Sequence, residues 1–73
     1  MYQLWDRGSG NRLGEFHTEG EALETVRVIT EDDPASMDTL VMLSEDDAGH
    51  IRELGAGAQL AALVEQHRPA AAR

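Results

Sequence analysis

Cysteine is absent from the 73 residues, so neither a disulfide nor a thiolate zinc site can brace the fold. A domain of this size buries only about 60% of its unfolded surface. The same absence fits a reducing compartment, and the chain is expected to be cytoplasmic. Lysine is absent as well: all six basic residues are arginines, set against fourteen carboxylates for a net charge of -8. Nucleic-acid binding draws most of its affinity from phosphates neutralised by basic side chains. No basic stripe is present here, and no nucleic-acid partner is expected. Aromatic residues are limited to Tyr2, Trp5 and Phe16. The core must therefore be thin, and self-association is a ready source of further buried area. Long apolar runs are missing too. Asp6 and Arg7 interrupt the first one almost at once, so no signal peptide or membrane span is expected.

What the chain does have is an internal echo. At an offset of 38 residues Leu4-Trp5 lies over Met42-Leu43, Leu13 over Ile51, Glu15-Phe16 over Glu53-Leu54, and Val26 over Val64. Each half reads as strand, glycine-containing turn, strand, helix. In the first half, residues 2–5 alternate in a β-prone pattern, and Asp6 to Asn11 supply turn residues that tolerate positive φ. Residues 12–17 return as a second strand. Leu13 and Phe16 stand three apart and point to opposite faces unless Gly14 marks a bulge. Thr18 followed by Glu21 is a capping box, and Ala22, Leu23, Val26 and Ile29 form one apolar stripe of a helix expected to end near Thr30. Pro34 follows in a polar connector over residues 31–38, from which Met37 dips back toward the core.

The second half repeats the plan. Residues 39–43 are the most apolar run and read as an interior strand, and 50–54 pair back after an acidic turn. Gly55-Ala56-Gly57 lead into a helix over residues 58–67 with Leu60, Leu63 and Val64 as its stripe. Two hairpins and two helices in the order ββαββα predict an α+β pseudo-repeat. Its sheet is four-stranded and largely antiparallel, with both helices on one face. One domain is expected over residues 1–68, with a frayed tail over 69–73. If Tyr2, Leu4, Leu40 and Met42 face the helices, alternation sends Trp5, Val41 and Leu43 to the opposite face. One of Leu13 or Phe16 and one of Ile51 or Leu54 then join them. An apolar patch of that kind on a small protein calls for a partner.

Chemistry-bearing patterns are few. Gly55-Ala56-Gly57 lacks the third glycine of a dinucleotide fingerprint, since Leu60 stands in its place. Ser44, Asp46 and Ala48 make a poor start to a calcium loop, and His17, His50 and His67 lie in separate elements without ligand spacing. Ser9, Ser36 and Ser44 sit among turn residues, outside any nucleophile elbow. No catalytic residue, cofactor or metal is expected. Two acidic triplets, Glu31-Asp32-Asp33 and Glu45-Asp46-Asp47, concentrate charge in the connector and in the second hairpin turn.

Tyr2-Gln3-Leu4-Trp5-Asp6, Ser9-Gly10-Asn11, Leu13-Gly14-Glu15-Phe16 and residues 18–23 resemble a group of uncharacterised small bacterial proteins. That group carries a YxLWDxxTGNxLGxF hairpin and an EAL-type helix, with a threonine where Ser9 stands here. The resemblance covers the first third of the chain and implies no activity. The same hairpin and helix are similar to the start of HicB-type antitoxin domains, without the further strand and DNA-binding segment found there. That similarity implies binding to a basic toxin. The expected function is a small, non-catalytic, acidic interaction module, homodimeric through an open sheet face with Trp5, Val41 and Leu43 at the interface. The alternative is an antitoxin-like protein that masks a basic partner with Glu45, Asp46 and Asp47.

Overall fold

A computed structural model of the chain describes residues 1–67; the tail expected to fray over 69–73 lies outside the described residues. The strands are β1 (Tyr2–Asp6), β2 (Asn11–Phe16), β3 (Leu40–Glu45) and β4 (Ile51–Ala56), and the helices are α1 (Glu19–Asp32) and α2 (Ala58–His67). The order is ββαββα, and the four strands form one antiparallel sheet in the order β2-β1-β3-β4. Both helices lie against one face. α1 packs on β1 and β2 and α2 on β4 and β3, so each helix covers mainly its own hairpin.

The helix-side core follows from the two periodicities. From the strands come Leu4, Leu40 and Met42, and from the helices Ala22, Leu23, Val26, Leu60 and Val64. Tyr2, Phe16, Ile29, Met37, Leu54 and Leu63 pack around this cluster. Burying one Leu-sized side chain is worth about 1.5–3 kcal/mol, so the nine buried apolar residues among those described are a modest reserve.

α1 starts where the capping pattern places it. The Thr18 hydroxyl accepts from the Glu21 backbone N–H at 3.1 Å, and the Glu21 carboxylate accepts from the Thr18 N–H at 3.2 Å. On its outer side Arg27 bridges Glu24 and Glu31, one turn away in each direction. The helix runs past Thr30 to Asp32, because nothing before Pro34 prevents another half-turn. The polar connector is ordered as a short 3-10 helix, Pro34–Asp38, with proline at its first turn.

Two β-bulges reset the echo between the hairpins, and the first lies beside Gly14, where the sequence left a bulge open. In β2, Leu4 pairs with Gly14 and Trp5 with Arg12, which leaves Leu13 as the extra residue. In β4, Met42 pairs with Gly55 and Leu43 with Glu53, which leaves Leu54 as the extra one. The echo therefore runs at 38 residues in β1 and β3 (Leu4 to Met42) but at 41 in β2 and β4 (Gly14 to Gly55). Leu13 corresponds to Leu54 and not to Ile51. At both glycines a side chain would collide on the helix side. A Cβ at Gly14 would meet the Phe16 ring at 2.9 Å, and one at Gly55 would meet Leu63 at 3.0 Å and the Leu60 backbone nitrogen at 3.3 Å. Gly55 and Ala56 belong to β4, so Gly57 alone links strand to helix, with φ at 55°.

Leu4 and Met42, which are echoes of each other, are also register partners. A local two-fold axis thus passes through their pair, normal to the sheet.

Candidate functional site: the open face of the sheet

Residues paired across strands share a face, so the registers map the side turned away from the helices. One row across it reads Glu15, Gln3, Leu43, Glu53, and the next reads Arg12, Trp5, Val41, Ala56. Glu45 and its partner Ile51 lie beyond the first row. The sequence expectation placed Trp5, Val41 and Leu43 here, and the registers bring all three together at the centre. Phe16 and Leu54 pack with the helix-side core, whereas Leu13 and Ile51 are 47% and 57% exposed.

Gln3 organises the centre. It is the one buried polar residue among those described, 7% exposed, although no helix covers its face. The Trp5 indole Nε1 donates to its Oε1 at 2.8 Å, and its Nε2 donates to Glu45 Oε1 at 3.0 Å. A residue two positions away on a strand lies on the same face, so the indole is drawn along the sheet toward Gln3. Val41, the register partner of Trp5, is only 5% exposed. On an open face that requires neighbouring side chains to close over it. Val41 therefore has little surface left for a partner. Trp5 and Leu43 are half-buried.

The rim is charged. Arg12 and Glu15 form an exposed ion pair at 3.3 Å on β2, and Glu53 flanks the β4 side. Each outer strand carries a bulge and charged residues, the devices that keep sheet edges from pairing with other chains. Association along the edges is thereby discouraged, and the face is left as the surface able to take a partner.

The acidic triplet at residues 45–47 is split three ways, which corrects its assignment to a single turn. Glu45 is the last residue of β3 and ties to Gln3. Asp46 holds the turn: its Oδ1 accepts from the Ala48 and His50 N–H groups at 2.9 Å each, and its Oδ2 lies 3.2 Å from His50 Nδ1. Those bonds, led by the His50 N–H, hold its carboxyl below the ordinary value. Only Asp47 stands exposed without a hydrogen bond or ion pair. Asp6 does the equivalent work in the first hairpin, accepting from the Gly8 N–H at 2.9 Å and the Ser9 hydroxyl at 3.0 Å. These bonds lower its pKa, the Gly8 N–H most of all.

A cleft of about 190 Å³ between α1 and α2 is lined by Glu19, Leu23, Leu63, Gln66 and His67. Small-molecule sites run from roughly 300 to 1,000 Å³, so this one falls below the usual range. No group of three potential metal-ligating side chains is found among the described residues, and no helix there is long and apolar enough to cross a membrane. No family model, curated protein or solved structure matches the chain.

Four site residues escape sequence reasoning: Gln3, Arg12, Glu15 and Glu53. Gln3 had a signal: a glutamine two positions from the tryptophan shares its face. Arg12 had none, because the Leu13 bulge decides which face it takes.

Proposed function

We propose that the protein is a small, non-catalytic interaction module that pairs with a second copy of itself through the open face of its sheet. The observation that carries this reading is the Trp5–Gln3–Glu45 chain of hydrogen bonds. Covering a polar group without a partner costs about 1–3 kcal/mol. Here the indole N–H and both ends of the Gln3 amide are satisfied within one chain, so a second molecule can cover the centre without that penalty. What it then covers is the indole, Leu43 and, at the rim, Ile51. Aromatic anchors in a water-excluding setting carry much of the energy of protein interfaces.

Sedimentation of the wild type against Trp5→Glu and Leu43→Glu tests it. Concentration-dependent dimerisation lost in both variants, with far-UV circular dichroism retained, is the expected result. A wild type that stays monomeric into the high micromolar range, or variants that dimerise unchanged, would sink the reading.

The alternative, an inhibitory protein masking a basic partner, draws on the net charge of -8 and on the commitment of Arg12 and Arg27 to carboxylates of their own chain. Its clean test is Asp47→Asn, because Asp46 is needed by the turn. This reading requires association with a basic protein that weakens with salt and with that substitution.

A further inference from the structure

We infer that the two copies pack with β2 over β2, their two-fold axis lying between the sheets and running across the strands. This rests on the self-association proposed above and says which way round it occurs. Two stacked sheets keep their strands within about 30° of one another at a spacing of about 10 Å. A two-fold dimer then has two aligned choices, an axis across the strands or an axis along them. The centre of the face is given by the local two-fold through Leu4 and Met42, which exchanges the row Glu15, Gln3, Leu43, Glu53 with the row Arg12, Trp5, Val41, Ala56. The dimer axis passes through that centre.

With the axis across the strands, each row meets the other row of the partner. Arg12 comes opposite the partner's Glu15 and Glu15 opposite the partner's Arg12; the partner's Leu43 lies over the largely covered position of Val41, and Trp5 over the partner's Gln3. Glu53 lands on the partner's Ala56, away from other carboxylates. With the axis along the strands, β2 lies over β4 and each row meets itself reversed. Glu15 then stands opposite the partner's Glu53, twice per dimer, and Arg12 opposite the partner's Ala56 with no carboxylate facing it. Moving the axis onto the first row sets Glu15 on Glu15 and Glu53 on Glu53. Charge therefore separates arrangements that the apolar centre alone would leave equal, since juxtaposed like charges oppose association. The isologous contact is also reciprocal, each residue of the Arg12 and Glu15 pair meeting its counterpart. The existing ion pair at 3.3 Å within each chain holds the two side chains at one corner of the face, ready for that exchange. Glu45 and Ile51, one row farther out, lie at the margin of the overlap.

Two charge variants, Arg12→Glu and Glu15→Arg, test the arrangement, with association measured by sedimentation and folding checked by circular dichroism. Both side chains are exposed, at 48% and 43%, so the fold tolerates either change. Each variant alone turns two attractive cross-subunit pairs into repulsive ones and is expected to weaken dimerisation about tenfold. An equimolar mixture of the two restores it, because in that heterodimer both pairs are attractive. Glu15→Arg is the more demanding member, since it makes each copy less acidic and would favour association on net charge alone. Tighter dimerisation of Glu15→Arg overturns the inference and points to β2 over β4. Variants that dimerise like the wild type, or a mixture that forms no heterodimer, overturn it while leaving self-association standing. A wild type that never dimerises removes the proposed function as well.

Discussion

Gln3→Met is the perturbation that most directly probes the centre of the open face. Methionine keeps the length of the side chain and removes both ends of the amide. The Trp5 Nε1 bond at 2.8 Å and the Glu45 bond at 3.0 Å are lost together. A typical intramolecular hydrogen bond contributes about 0.5–1.5 kcal/mol net, and more when one partner is charged. Trp5 and Glu45 are only half-buried and can turn to water, which holds the loss to roughly 1–2 kcal/mol. Domains of this kind have about 0.05–0.15 kcal/mol of stability per residue, so the change is a sizeable part of the whole. It should lower Tm by roughly 4–8 °C for each kcal/mol.

The decisive form is a cycle with Trp5→Phe, which keeps an aromatic ring and deletes the indole N–H. Urea unfolding of wild type, both single variants and the double variant, followed by circular dichroism at one protein concentration, yields the coupling energy. About 1 kcal/mol is expected from the indole–amide bond. Additivity within about 0.3 kcal/mol would refute the reasoning. Trp5 would then be held by packing alone, and the polar groups of this face would not be satisfied before a partner arrives. In the native state, Gln3→Met should also shift Trp5 fluorescence to the red as the ring is released.

Other outcomes follow from the local geometry. Thr18→Ala removes the hydroxyl that accepts from Glu21 and should cost about 1 kcal/mol in denaturant unfolding; no measurable loss would mean that α1 starts without its cap. Gly55→Ala should destabilise by about 1–3 kcal/mol, because its Cβ presses on the α2 backbone. Gly14→Ala should cost less, because only the Phe16 ring has to swing aside; the reverse order would discount the role of Gly55 in seating α2. The lowered pKa values of Asp6 and Asp46 predict acid sensitivity. Their contribution is fully present above the ordinary carboxyl value of 3.8 and is lost as pH falls through the lower folded values. Asp6→Asn and Asp46→Asn should therefore flatten the acid limb of a stability–pH curve, and a limb unchanged in both would contradict the assignment.

Sequence and structure agree best where the information is local. The capping box at Thr18 and Glu21 and the buried stripes of Ala22, Leu23 and Val26 in α1 and Leu60 and Val64 in α2 were all legible. The end of α1 was less so, since Glu31 and Asp32 are neutral about continuing a helix and only Pro34 forces a change. The candidate site was legible as an alternation that sends Trp5, Val41 and Leu43 to one face. Its chemistry was not. Glu45 looked like part of an acidic turn until its pairing with Ile51 placed it in the sheet, within reach of Gln3. Nor does alternation encode the burial of Val41 on a face that no helix covers.

By itself the sequence determined the order of elements, their approximate limits and which helix faces are buried. Each of these is written in spacings of two, three or four residues and in the chemistry of a cap or turn. Only the tertiary structure decided the strand registers, the bulges at Leu13 and Leu54, and hence that Arg12, Glu15 and Glu53 surround Trp5, Gln3 and Leu43 on one face. The physical reason is that one inserted residue reverses the facing of every residue beyond it. Which position absorbs that insertion is settled by the packing of distant parts. Gly55 lies where the α2 backbone comes closest, and the chain bulges beside it at Leu54.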